Sequence, residues 1–164
     1  MRGRMFGGAA VLAAALLAAG CGGNNDQATN PTGGSLAQVE LGAPDGPVAS
    51  GASFNVDVKA RDVGFSVLHA TRVHVVLPPP LVADSAEVSA GAGTAVVANG
   101  ASGGTVDFDF GTIDRFSQSA GTIHAHGVIP ATQNNVKLTV TAQLTSDEVQ
   151  PGAAVAAVDV LLQH

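Results

Sequence analysis

From Ser53 to Arg61 the chain alternates strictly: Phe54, Val56, Val58 and Ala60 are apolar, while Asn55, Asp57, Lys59 and Arg61 between them are polar or charged. Side chains of an extended strand point to its two faces in turn, so a period of two predicts a strand with one face buried and the other in water. After a loop through Asp62, Val63 and Gly64, the run Arg72 to Leu77 resumes the alternation and stops at Pro78, Pro79 and Pro80. Two half-buried strands cannot cover their own apolar faces, so the remaining runs must pack on the same core.

Leu36 to Leu41 offers a first strand, set off from the organising pair by the turn residues Gly42 to Pro47. Beyond the three prolines, Leu81 to Ala90 reads as a short extended piece at a sheet edge, because proline at its entry cannot donate to a ladder. Gly91 to Asn99 is small and permissive, with Val96 and Val97 its only bulky residues. Thr105 to Phe110 sets Val106, Phe108 and Phe110 against Thr105, Asp107 and Asp109, and Thr122 to Ile129 sets Ile123 and Ala125 against Thr122, His124 and His126. Val136 to Leu144 is the most regular run, and after a Pro151-Gly152 turn Ala156, Val158, Val160 and Leu162 close the sheet. About seven strands separated by turns predict an all-β, Ig-like β-sandwich, with one domain over residues 36–164.

The start of the chain follows a different pattern. Arg2 and Arg4 precede an apolar run from Met5 to Ala19 that ends in Leu17-Ala18-Ala19-Gly20-Cys21. At about fifteen residues the run is shorter than the roughly twenty that span a bilayer, and it reads as a secretory signal over residues 1–20. The small residues before the only cysteine resemble the lipobox of bacterial lipoproteins, which implies that Cys21 is acylated and becomes the mature first residue. Gly22 replaces the aspartate that the same resemblance associates with inner-membrane retention, so it implies a lipid-anchored protein of the cell envelope, on the outer membrane where the cell has one. Residues 21–35 carry Gly, Asn, Thr, Asp, Gln and Pro without apolar periodicity and are expected to form a flexible tether. With a single cysteine no intramolecular disulfide can form, so the core must hold the fold.

Charge narrows the partners. The whole chain stands at −6, and without Arg2 and Arg4 five basic residues face thirteen acidic ones, a balance of −8. That field excludes nucleic acid and gives anionic lipid no direct docking surface, which leaves Cys21 as the membrane contact. Tyr and Trp are absent, and Phe54, Phe65, Phe108, Phe110 and Phe116 are the aromatic residues after the signal. The expectation is a monomer that meets the membrane through acylated Cys21 and contacts another envelope protein.

A family resemblance rests on three stretches: Val73-His74-Val75-Val76-Leu77-Pro78, then Val106 through Gly111-Thr112-Ile113, then Leu138 to Ser146 with a Pro-Gly turn and a final strand. Together they resemble the DUF11 family, Ig-like sandwiches of bacterial surface proteins. Ser53 to Asp62 and Gly121 to Ile129 are similar to a cohesin-like sandwich. Both resemblances imply adhesion or surface architecture, and neither implies catalysis.

Candidate chemistry is sparse. Asp109-Phe110-Gly111 matches a kinase metal triplet without the accompanying loop or lysine, and no G-x-S-x-G elbow is present. Asp107 and Asp109 share a strand face but lack the further oxygens of a calcium loop. Gly91-Ala92-Gly93 is a turn rather than a phosphate loop. His124 and His126, at i and i+2, share one strand face, and His74 lies on the outward face of another strand. Were those strands neighbours, three imidazoles could bind zinc or copper. The sequence therefore predicts a non-catalytic envelope module without a cofactor, and a metal- or ligand-binding lipoprotein as the alternative.

Overall fold

Alternating side chains do become strands throughout. The computed structural model describes residues 28–29 and 36–164, so the signal, Cys21 and most of the tether fall outside the described residues. The strands are β1 (Ala28–Thr29), β2 (Ala37–Gly42), β3 (Val48–Ala49), β4 (Ser53–Asp62), β5 (Leu68–Leu77), β6 (Leu81–Ala90), β7 (Thr94–Gly100), β8 (Gly103–Ile113), β9 (Gln118–Gly127), β10 (Asn135–Ser146) and β11 (Val149–Gln163). No helix occurs among the described residues.

The strands form two sheets. One runs β2-β4-β9-β6, the other β1-β11-β10-β5-β8-β7 with β3 also against β11. β4 and β5, consecutive in sequence, therefore lie in opposite sheets of an Ig-like sandwich. Only β7–β8 and β10–β11 are hairpins within one sheet, and the other links among β4 to β11 cross between sheets. The links at 63–67, 91–93, 114–117 and 147–148 all come out at one end of the sandwich, which we call the near pole. Pro78 to Pro80, the Ala101-Ser102 turn, residues 128–134 and the C-terminus lie at the far pole.

Three details differ from the sequence reading. Among the described residues nine strands of six or more residues are present, not about seven, because Thr94–Gly100 forms β7 despite its small side chains. Its seven residues pair with β8 without a register shift, so the ladder and the core beneath Ala95 and Val97 hold it. Pro151-Gly152 is not a turn but lies inside β11, with Gly152 at φ 80°. The reversal sits instead at Asp147-Glu148, between the paired Ser146 and Val149. Finally, Ala28–Thr29 of the expected tether runs antiparallel to β11 opposite Ala157 and Ala156.

The inward faces make one core that includes Phe54, Val56, Val58, Val75, Val106, Phe108, Val140 and Val158, as the alternation predicts. Leu138, on the same face of β10, is only partly buried. Phe108 and Phe110 stack in this core with centroids 5.5 Å apart and planes 9° from parallel. Phe108 lies against the backbone of Gly121 on the facing sheet, where a Cβ would stand within 2.8 Å of two further ring carbons. Glycine at 121 is thus a requirement of close approach, not of a turn. On the side where β6 and β7 edge their sheets, Asn99 clamps Ala83: Ala83 N donates to Asn99 Oδ1 at 3.1 Å and Asn99 Nδ2 donates to Ala83 O at 2.7 Å.

Candidate functional site at the near pole

Two of the five phenylalanines after the signal do not enter the core. Phe65 lies in the β4–β5 link and Phe116 in the β8–β9 link, 82% and 66% exposed, and their rings meet edge to face at 5.9 Å. Val63, 40% exposed, lies two residues before Phe65 in the same link. Folding ordinarily removes such side chains from water, at a gain of roughly 1.5–3 kcal/mol for a fully buried phenylalanine. Phe116 moreover takes a left-handed backbone, φ 58°, a region unfavourable to a residue with a Cβ.

Local bonds fix the two links. Asp62 N donates to Ser117 O at 3.0 Å, Ser117 N to Asp114 O at 3.0 Å, and Val63 N to Leu36 O at 3.0 Å. The buried Asp62 carboxylate accepts from Gly64 N at 2.7 Å through Oδ1 and turns the link back over the pole. Its Oδ2 is buried without a partner among the described residues. Arg115 reaches across the links, Nη1 donating to the Phe65 carbonyl at 3.4 Å. The aromatic pair thus sits on a tied platform.

Charge around the pole is mixed, with Asp62, Asp114, Asp147 and Glu148 beside Lys59, Arg61 and Arg115. Arg72 pairs with Asp109 at 3.3 Å and Lys137 with Asp159 at 2.6 Å. The Lys137 ammonium, helped by the Thr139 hydroxyl, holds the Asp159 carboxyl below its usual range. Lys59, Arg61 and Arg115 make no ion pair among the described residues, and all three lie on the near-pole end of β4 or in the adjoining link. Beside them the 147–148 turn is pinned to β5. Glu148 accepts from His69 N at 2.8 Å and pairs with His69 Nδ1 at 2.6 Å. The His69 backbone bond first, then the ring, lower its pKa to about 2.

The histidines predicted to converge do not. His74 is on β5 in the larger sheet, paired with Asp107 at 2.6 Å, whereas His124 and His126 are on β9 in the smaller sheet. β5 and β9 are not neighbours, and polar faces of opposite sheets look away from each other across the core, so His74 cannot share a metal with the other two. His124 Nδ1 lies 2.8 Å from Asn55 Oδ1, and its Nε2 4.0 Å from Glu87. His126 Nδ1 lies 2.8 Å from Asp84. No group of three or more metal-ligating side chains is gathered among the described residues. Asp107 and Asp109 are engaged by His74 and Arg72, and Asp109-Phe110-Gly111 lines an open recess with Ala92, Gly93, Thr94 and Thr112. Cys21 lies outside the described residues.

The sequence reading did not single out Phe65 and Phe116, although a signal was there. Each is a lone bulky ring in a turn stretch, Gly64-Phe65-Ser66 and Arg115-Phe116-Ser117, outside every alternating run.

No family model matches the chain, and no curated protein matches it. Among solved structures, the chain is similar to a cohesin module from the family 33 glycoside hydrolase of Clostridium perfringens, with TM-score 0.58, 9% identity, and coverage of 79% of this chain and 98% of that one. It is also similar to the major pilin SpaD of Corynebacterium diphtheriae, with TM-score 0.50 and 15% identity over 77% of this chain and 34% of that one. A CARDB domain of the PF1109 protein from Pyrococcus furiosus covers 86% of this chain at 14% identity and TM-score 0.49. At these identities the likeness is one of fold, and the fold is that of an Ig-like, cohesin-type β-sandwich.

Proposed function

We propose that this chain is a lipid-anchored, non-catalytic module of the cell envelope whose sandwich makes contact with another protein. The observation that carries the reading is the exposed Phe65–Phe116 pair on its tied platform. Apolar rings kept in water beside arginine have the composition of a protein-contact hot spot. The lipobox-like end at Cys21 supports the anchor and the envelope location, outer membrane where there is one, and the DUF11-like runs fit the same surface setting. The sandwich of a cohesin module and of a pilin supports a structural role in the same sense.

Extraction in mild detergent tests the contact. Wild-type chain should come out with a partner protein in fixed ratio, and a Phe65→Ser/Phe116→Ser variant that melts like wild type should come out without it. Extraction of both as the bare chain sinks the reading. Metabolic labelling with a fatty-acid analogue tests the anchor: label on wild type and none on Cys21→Ser is expected, and equal labelling overturns it.

A second reading, a metal-binding lipoprotein, draws on His124 and His126, with Asp84 and Glu87 beside them. It retains two of the three predicted imidazoles.

A further inference from the structure

The open edges of the two sheets are not alike. The outer side of β11 is covered by β1 and β3. β2 is six residues long, carries Glu40 and runs toward Pro44. β6 follows Pro80, shifts register after Ala83 and after Val88, and carries Asp84 and Glu87, while Asn99 takes up the N–H and C=O of Ala83. Charge, proline, bulges and covering elements are the ordinary means by which an edge is closed to further strands. β7 has none of them. Thr94-Ala95-Val96-Val97-Ala98-Asn99-Gly100 contains no charge and no proline, pairs with β8 without a register shift, and leaves Val96 62% exposed.

The hairpin fixes which backbone groups this edge offers. Gly100 pairs with Gly103 across a two-residue turn, so those two exchange hydrogen bonds, and bonding to β8 recurs at Ala98, Val96 and Thr94. The N–H and C=O of Ala95, Val97 and Asn99 then point to the open side, where they meet no partner among the described residues. From this edge we infer that the chain pairs with a second copy of itself, β7 against β7 in antiparallel register about a two-fold axis at Val97, joining two larger sheets into one. The pairing uses neither Phe65 nor Phe116 and is independent of the contact proposed for them.

The strand suits its own reverse. An axis at Val97, the middle of β7, sets Val97 opposite Val97, Val96 opposite Ala98, Ala95 opposite Asn99 and Thr94 opposite Gly100. Every N–H and C=O on the open side of both strands then has a partner, no charge meets a like charge, and no two large side chains collide. Charge favours the same place. The chain is strongly acidic, so two copies repel through most of their surface, whereas β7 is neutral and the carboxylates beside it on β8, Asp107 and Asp109, are already paired with His74 and Arg72. The turns that flank β7, Gly91-Ala92-Gly93 and Ala101-Ser102, bring no bulky side chain between the edges. A two-fold contact also closes both edges at once, which a foreign strand does not.

The full chain in mild detergent should sediment as a dimer. On dilution through the association, the amides of Ala95, Val97 and Asn99 should lose protection from hydrogen exchange while those of Val96 and Ala98 keep theirs. Equal loss along β7, or a monomer at every concentration, overturns the inference. Val97→Pro removes an N–H on the open side and leaves the bonds to β8 in place, so it should give a monomer with the β-sheet circular dichroism of wild type. In cells, a photo-crosslinking residue at position 96 should give an adduct of twice the chain mass, joining β7 to β7, with or without Phe65→Ser/Phe116→Ser. An adduct with a different protein only, or a double-mass adduct that survives Val97→Pro, overturns the pairing and leaves the near-pole contact untouched.

Discussion

The Phe108 ring, on β8, rests on the bare backbone of Gly121 on β9, so that the two sheets meet where one side chain is missing. Removing the ring should cost about 3–5 kcal/mol, and filling the glycine with a methyl group about 1–3 kcal/mol by overpacking. Because the methyl group of Gly121→Ala would enter the space vacated in Phe108→Ala, the double variant should lose clearly less than the sum of the singles. Urea unfolding of the four proteins checks this, and strict additivity would show that ring and glycine do not limit each other.

Glu148 should make stability depend on acid. Its pKa is lowered from 4.5 to about 2 by the His69 backbone and ring, so the folded state favours the ionised form. The contribution is fully present above the unfolded value of 4.5 and is lost as pH falls toward about 2. Melting temperatures of wild type and Glu148→Gln should therefore differ at about pH 6 and converge near pH 2. A gap that stays constant across the range would place the stabilising bonds elsewhere.

The Asn99 clamp should be sensitive to small changes. Asn99→Ala leaves Ala83 N and O without their side-chain partner at a partly buried seam, a loss of about 1–3 kcal/mol. Asn99→Asp keeps the acceptor and removes the donor, setting a carboxylate against a carbonyl, and should be no better than alanine. Denaturant midpoints decide between this and a merely ornamental pair.

Zinc should leave the melting temperature unchanged at about 100 μM metal, because a ligand stabilises only what it binds in the native state. A rise that His126→Ala abolishes would favour the second reading. His74→Ala should have no bearing on any such rise, since His74 faces out from the other sheet.

The strands most legible in the chain were those whose two faces differ most in polarity. β4, β5, β8 and β10 combine large apolar residues with charged or hydroxyl ones, and their buried faces follow the alternation. β7 escaped notice because Ala95, Val97, Ala98 and Gly100 give little contrast, and pairing with β8 decides what composition does not. The Pro-Gly in β11 misled because it marks turns in general, whereas here the ladder to β10 runs up to Leu144 and resumes at Ser146. The histidine constellation depended on which strands are neighbours, and adjacency is a property of topology that no single strand carries. The exposed Phe65–Phe116 pair depended on exposure, which alternation cannot report for residues in links.

The two residue pairs of β1 also have a mechanical meaning. A pull toward the far pole on the chain ahead of Ala28, against a partner holding Phe65 and Phe116, would load Ala28 and Thr29 in shear along β11. With two pairs to break, that contact would yield first and lengthen the leash. The force would then fall on Ala37, at the near pole, and peel β2 from β4 through six residue pairs one after another. A sandwich pulled this way would give in two steps, the two β1 pairs loaded together and then the six β2 pairs opened one at a time, before tension reached the strands that carry Phe108 and Gly121.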